Sequence, residues 1–310
     1  MARILNFGSL NIDYVYSMDH MIRPGETQAA LEINVFPGGK GLNQSVACAR
    51  AGAEVYHAGA LGQGDNSILT DVLKEAGVNM DFIKQHELPA GHTIIQVDRS
   101  GQNSIILFGG SNQSLRPEEI DAAMEHFGPG DYLVMQNETN ELEHLMRKGA
   151  ERGLNIAFNV SPFRPELLKL PLELCTLLFV NEIEAGGIAG ISSDSAPAKL
   201  LGALSEKLPK SNLVLTLGTR GSAYKAAGQE PVYFGCYKVR AVDTTASGDT
   251  YTGFFLNALA SGWDVHTAMK EASCAAAISV TRHGAACSVP RYAEVLASDL
   301  FKGPEPQFAA

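Results

Sequence analysis

The sequence predicts an α/β fold: a mainly parallel sheet flanked by helices, with a small antiparallel sheet projecting from it. Three observations carry this. Short apolar or β-branched runs alternate with longer helical patterns, as right-handed βαβ units require. Glycines fall where the helical patterns stop, at positions suited to a left-handed cap. Two stretches, residues 13–36 and 92–108, have period-2 character and no helix.

Strands are expected at residues 4–8, 55–61, 132–136, 155–159, 177–180 and 213–217. Between them, helices are expected at 42–51, 67–76, 116–127, 141–152, 181–188 and 196–208. Gly77, Gly128, Gly153, Gly190 and Gly262 close helical stretches, and Pro117 and Pro165 sit near helix starts, where a missing N–H costs nothing. In the second helix-free stretch, Thr93-Ile94-Ile95-Gln96-Val97-Asp98 leads through Arg99-Ser100-Gly101 to Ser104-Ile105-Ile106-Leu107, a hairpin pattern. The two stretches are expected to pair as an antiparallel lid on one domain spanning residues 1–300. A short helix is expected at 292–300. The tail, 301–310, with Gly303-Pro304-Glu305-Pro306, is expected to fray.

A chain of 310 residues suits one large domain with a small appendage. Its 34 acidic and 24 basic residues leave a formal charge of −10, which argues against a nucleic-acid or anionic-membrane partner. An anionic ligand held by local amides is not excluded. Cys48, Cys175, Cys236, Cys274 and Cys287 are scattered with no Cys-x-x-Cys pair, so neither a disulfide framework nor a zinc site is indicated. His57, His92, His126 and His283 have no partners at metal-ligand spacing. No apolar run approaches the ~20 residues of a membrane span, and the chain enters a strand at once, so a reducing cytoplasm is expected.

The most informative segment is Val242-Asp243-Thr244-Thr245-Ala246-Ser247-Gly248-Asp249. After it, Tyr251, Phe254, Phe255, Ala258 and Leu259 mark one apolar helical face, so a helix starts near residues 246–248. Small residues there let a ligand reach the free N–H groups, which with the helix dipole make an anion site. Asp249 lies beside any bound phosphate. Phosphoryl transfer to an alcohol needs in-line positioning, charge stabilisation and a carboxylate to take the proton. The bland alternative is N-capping by Ser247 or Asp249 with no ligand.

A second glycine cluster, Gly38-Gly39-Lys40-Gly41-Leu42-Asn43-Gln44, opens an alanine-rich helix and is neither a Walker A loop nor a dinucleotide fingerprint. Its glycines admit close backbone approach, while Lys40 and Asn43 offer donors to sugar hydroxyls. Asn11 and Asp13 follow the first strand, at the end where parallel sheets bind ligands, and suit a polyol.

Together these segments resemble the signature segments of the ribokinase-like (pfkB-type) carbohydrate kinases, as do Asn181-Glu182-Ile183-Glu184 and Thr216-Leu217-Gly218-Thr219-Arg220-Gly221. The resemblance runs in the family's order from about residue 4 to 290. It implies a three-layer ribokinase-like fold and an ATP-dependent sugar kinase. Asp249 would be the catalytic base, with Ala246, Ser247 and Gly248 its anion hole. Asn11, Asp13, Gly39, Lys40, Asn43 and Glu138 would bind sugar hydroxyls. Asn181 and Glu184 would organise Mg2+ through water, and Thr216, Gly218 and Gly221, with Asn181 and Gly248, would line the ATP site. Asp243, Thr245, Ser279, Arg282, Gly284 and Ser288 would hold a monovalent cation, K+.

The motif form favours D-ribose, converted to ribose 5-phosphate. A fructose-like sugar stays open, as does a nucleoside held by Tyr14, Tyr16 and Phe36; a non-catalytic sugar-binding regulator is the other class. Because the lid offers only Arg23 and Arg99, an unphosphorylated substrate is expected. Two lids are expected to pack face to face in a homodimer. Two departures stand out. The anion hole reads Ala-Ser-Gly where many relatives have Gly-Ala-Gly, and Gly62-Gln63-Gly64-Asp65-Asn66-Ser67 lacks the family's later glycine.

Overall fold

The computed structural model describes residues 2–309. The chain runs β1 (Ile4–Phe7), β2 (Asn11–Ser17), β3 (Glu32–Gly38), α1 (Lys40–Ala51), β4 (Val55–Gln63), α2 (Ser67–Ala76), β5 (Asn79–Pro89), β6 (Gly91–Val97), β7 (Asn103–Phe108), α3 (Pro117–Met124), β8 (Tyr132–Gln136) and α4 (Leu142–Glu151). It continues β9 (Asn155–Asn159), β10 (Leu177–Asn181), α5 (Glu182–Ala189), α6 (Pro197–Lys207), β11 (Asn212–Thr216), β12 (Ser222–Lys225), β13 (Val232–Phe234), α7 (Ser247–Ala260), α8 (Val265–Ser279), α9 (Tyr292–Ala297) and α10 (Asp299–Lys302).

Among the described residues, nine strands form one sheet in the order β13-β12-β11-β10-β9-β8-β1-β4-β5. All pairs from β11 to β5 are parallel; only β12 and β13 run antiparallel, at one edge. Strand alternation sorts the side chains into two cores. Leu5, Leu133, Ile156, Leu178 and Leu213 pack on one face with residues of α3 to α6. Ile4, Val134, Ala157, Leu177 and Val214 pack on the other with residues of α1, α7 and α8. The result is the expected three-layer arrangement.

From β1 the chain builds outward to β4 and β5 on one side, and later to β8, β9, β10 and β11 on the other. The strand order therefore reverses between β1 and β8, and the crevice outside the carboxyl ends there is the natural ligand site.

The lid is a separate four-stranded sheet, order β3-β2-β6-β7, slightly longer at its base than residues 13–36 and 92–108. Two of its three ladders are antiparallel as expected, but the central pair β2–β6 is parallel. The reason is connectivity. β2 continues from β1 and β6 from β5, and both leave the main sheet at its carboxyl end in the same direction.

Other expectations need correction. Gly77 and Gly190 are left-handed caps, and Gly153 and Gly262 are left-handed one residue later, but Gly128 is not. It closes a turn instead: Asp131 N–H donates to its carbonyl, and its own N–H donates to the Asp131 carboxylate. Nor does the tail fray. The Gly235 N–H donates to the Pro306 carbonyl, Phe308 stacks on Tyr233 at 4.7 Å, and Glu305 pairs with His266 and Lys270. Ala310 lies outside the described residues. No helix among the described residues is long and apolar enough to cross a membrane.

Candidate active site

α1 and α7 pack together, and their N-termini meet outside the carboxyl ends of the sheet. α7 opens abruptly. Ala246 takes a left-handed conformation (φ 57°), which lets the chain reverse directly into the helix. No side chain caps α7. The carboxylate of Asp249, in its first turn, turns away from the helix amides and accepts from Asn43 Nδ2 at 3.0 Å and Gln44 Nε2 at 2.8 Å. The capping alternative raised by the sequence is therefore not what the geometry shows. A Cβ added to Gly248 would meet no protein atom within 4 Å, so packing does not demand glycine there. Open space does.

That space is a cavity of about 240 Å3 lined by Lys40, Asn159, Asn181, Glu184, Thr216 and the run from Ala246 to Asp249. Lys40 reaches it from the first turn of α1. Burial works against its charge, yet Asp249, Glu138 and Glu184 hold its pKa above the ordinary lysine value. A larger cleft of about 530 Å3 borders Glu138, Arg164 and Leu107. Asp249, Asp13 and Asn43 are not among its lining residues, so it is not where a hydroxyl would meet the base.

On the lid side, the Asp13 carboxylate lies where a Cβ on Gly38 would sit, 1.9 Å from one of its oxygens, so only glycine fits beside it. Gly39 has φ 93° and packs against Ser9 and Asn11 backbone. Asp13 accepts from Thr93 Oγ1 at 2.6 Å. Burial pushes its pKa up to about 6 against that hydrogen bond, with Glu138 adding to the rise. Glu138 accepts from Ser9 Oγ and from the Lys40 N–H at 3.0 Å. Asn11 is buried with its Oδ1 held by Asn112 Nδ2 at 2.8 Å. By strand alternation Phe36 shares the Asp13 face, whereas Tyr14 and Tyr16 lie on the opposite one. Two of the three aromatics that would hold a nucleoside therefore face away.

Asn181 and Glu184 form a capping box on α5: Glu184 N–H donates to Asn181 Oδ1 at 3.0 Å, and Asn181 N–H to Glu184 Oε2 at 2.8 Å. Burial pushes the Glu184 carboxyl up, opposed by Asn181, Ser161 and Lys40. Gly218 and Gly221 are both left-handed and shape the turn after β11; a Cβ on Gly221 would strike the Phe234 carbonyl. Asp243 ties two loops together, accepting from Thr245 N–H and Oγ1 on one and from Gly284 N–H at 2.9 Å on the other. Despite partial burial, these bonds hold its pKa below the usual carboxylate range. The hydroxyls of Ser279 and Ser288 donate to carbonyls of their own turns, and the Arg282 guanidinium pairs with Glu294, so Arg282 could offer a cation only its backbone carbonyl.

Several partners escaped the sequence reading. Gln44 stands beside Asn43 in the glycine cluster and shares its bond to Asp249. Asn112 clasps the hinge, accepting from Leu10 N–H at 2.9 Å while holding Asn11. Each is a buried amide, the one signal that could have marked it.

Comparison with known proteins agrees. The pfkB family of carbohydrate kinases matches residues 1–291. The chain is 31% identical over 294 residues to a ribokinase of Haemophilus influenzae, covering 93% of this chain and 95% of that protein. It is also 31% identical over 292 residues to a deoxyribokinase of Salmonella typhi, covering 91% and 94%. An Arabidopsis thaliana ribokinase structure, complexed with ribose and ATP, superposes with a TM-score of 0.85 at 26% identity, covering 98% of this chain and 100% of that one. With an uncapped α7, an aspartate at its lip and nearly the whole length matched, the chain belongs to the pfkB family of carbohydrate kinases.

Proposed function

We propose that the protein transfers the γ-phosphoryl group of ATP to the hydroxymethyl group of D-ribose, giving ribose 5-phosphate. The observation that carries this is the placement of Asp249. Its carboxylate stands at the open N-terminus of α7, oriented by two amides, beside Lys40 and facing a cavity. A binding-only protein has no use for a proton acceptor there.

The sugar is held under the lid by Asn11, Asp13, Gly39, Lys40, Asn43 and Glu138. Asp249 accepts the proton of its terminal hydroxyl as that oxygen forms a bond to the γ-phosphorus. The bond from phosphorus to the ADP oxygen breaks in line. Charge growing on the transferring group meets the amides of Ser247, Gly248 and Asp249 and the ammonium of Lys40. Thr216, Gly218 and Gly221 hold the rest of the nucleotide.

One buried carboxylate with an adjacent amide fits a magnesium ion that keeps several of its waters, so Glu184 and Asn181 would hold it. When bound, magnesium supplies charge neutralisation on the β- and γ-phosphates. The Asp243 carboxylate and the carbonyls of residues 279–288 likewise fit a monovalent cation, K+, beside the anion hole. Of the two lid arginines, Arg99 is paired with Asp19, which supports a substrate without a phosphate of its own. On the lid face opposite Asp13, Ile33, Val35, Ile94, Ile106 and Phe108 are exposed. An apolar face of that kind supports a homodimer through the lids.

The equal identity to a deoxyribokinase makes 2-deoxyribose the second reading. The test is a panel of ribose, 2-deoxyribose, fructose and nucleosides with ATP and Mg2+, reading the phosphorylated position by 31P NMR. Preference for ribose at its 5-position is expected. Preference for a nucleoside, or no transfer to any acceptor, would overturn the proposal. Sedimentation as a monomer at micromolar concentration would remove the dimer.

A further inference from the structure

Behind Asp249 and its partner Gln44 runs a chain of buried polar side chains whose further members none of the steps above uses. Gln44 Oε1 accepts from Gln136 Nε2 at 2.8 Å, and the same nitrogen donates to Asn6 Oδ1 at 2.9 Å. Asn6 Nδ2 donates to the Gly41 carbonyl and to Ser45 Oγ, both at 2.8 Å. Ser45 Oγ lies 2.8 Å from His57 Nδ1. All five residues are at most 1% exposed, and none lines the cavity. They come from β1, α1, β4 and β8, so the chain crosses the point where the strand order reverses.

Its polarity runs one way. Both hydrogens of the Asn6 amide are committed, so its oxygen must accept, and both hydrogens of the Gln136 amide are then committed in turn. Gln136 therefore presents a donor to Gln44, and Gln44 must turn its own NH2 toward Asp249. Were Gln44 reversed, an amide oxygen would confront the carboxylate and drive it off its present orientation. The arrangement is not one that packing alone would favour. Gln136 Oε1 is buried with no hydrogen-bond partner among the described residues, a costly feature in a core. Gln136 Oε1 is also accommodated only because residue 8 is glycine, whose Cβ would lie 2.7 Å from it.

We infer that Asn6, Gln44, Ser45 and Gln136 form a relay of amide and hydroxyl dipoles that orients Asp249, with Gln44 and Gln136 as its positioning residues. The inference rests on the reading of Asp249 as the base. Gln136→Met keeps the volume, removes the donor and touches no ligand. It should lower kcat about 10- to 100-fold, the scale of misplacing a reacting group, while both KM values stay within about twofold. Gln44→Met should lower kcat by a similar factor, and the double variant by no more than the larger single effect. Ser45→Ala, the mildest change to the fold, should lower kcat by about threefold through the released Asn6 amide. In a crystal structure of Gln136→Met, Asp249 should have left the Gln44 amide.

The relay is overturned if Gln136→Met and Ser45→Ala both turn over within twofold of wild type. Single effects that multiply in the double variant, or Asp249 unmoved in the Gln136→Met crystal structure, overturn it equally. The kinase reading fails separately, if the wild-type protein phosphorylates no acceptor. The crystallographic outcome decides the relay even then.

Discussion

Two helix N-termini border the same cavity, and they are finished in opposite ways. α5 is closed: Asn181 and Glu184 satisfy each other's N–H groups in a reciprocal capping box. α7 is left open: Ala246 offers no side-chain cap, Gly248 leaves empty space, and the Asp249 carboxylate is drawn away to Asn43 and Gln44. The α7 end stays accessible, with Gly248 exposed and Ala246 and Ser247 half-buried, so its free amides are open to a ligand. The difference sets a helix end satisfied by its own side chains against one whose amides, under the proposed function, would meet an anion. Under the proposed function Glu184 would have two duties, cap and metal organiser, whereas Asp249 would have one.

Filling the open end should have the largest effect. Gly248→Val sets its Cβ in open space, with no protein atom within 4 Å, so the fold should persist while kcat/KM for ATP falls by about 10²-fold. A steady-state assay with a parallel thermal melt checks this; an unchanged kcat/KM would mean the amides bind nothing. Disturbing the closed end should do less, and to both properties at once. Glu184→Ala should raise the Mg2+ concentration for half-maximal activity about tenfold. It should also lower unfolding stability by about 1 kcal/mol through the lost cap. Loss of stability alone would leave α5 with a structural role only.

Next in size comes pH. Burial raises the Asp13 carboxyl from its ordinary 3.8 to about 6 in the folded state, so the unfolded chain binds fewer protons between those values. Its contribution to stability therefore falls as pH rises from about 4 to about 6, and levels off above. A sugar hydroxyl would donate to the carboxylate form, so ribose affinity should weaken below about pH 6, where binding should release one proton. Calorimetry across pH 5–8 checks this, and Asp13→Asn should flatten the profile. Ala246→Gly should have the smallest effect. Relief of the left-handed alanine, offset by glycine's backbone entropy, should raise stability by a few tenths to about 1 kcal/mol in a denaturant titration.

How legible these regions were follows from their chemistry. The central strands β1, β8 and β9 announce themselves as short apolar runs, because they are buried on both faces. β5 does not: it is an edge strand whose sequence, Asn79-Met80-Asp81-Phe82-Ile83-Lys84-Gln85-His86-Glu87-Leu88-Pro89, mixes charge with apolar residues. α8 was hidden for the opposite reason. Its alanine-rich run is buried from several sides and shows no polar face to set the helical period. β12 and β13 are short and lie at an edge.

At the site, backbone needs left clear traces in glycine: Gly38 beneath Asp13, Gly39 at positive φ, Gly248 in open space. The buried amides left almost none. Gln44, Gln136 and Asn112 act through partners 92 to 205 positions away, and one sequence does not state which distant amides meet. The parallel β2–β6 pair was missed for a related reason, since it depends on two connections leaving the sheet on the same side.

The most direct measurement is the single-turnover rate of Asp249→Asn at saturating ATP, Mg2+ and ribose, beside its ribose dissociation constant. The rate should fall at least about 10²-fold, since the proton acceptor is gone, with ribose affinity within about threefold of wild type. A rate close to wild type would contradict this and return α7 to the status of an ordinary helix end.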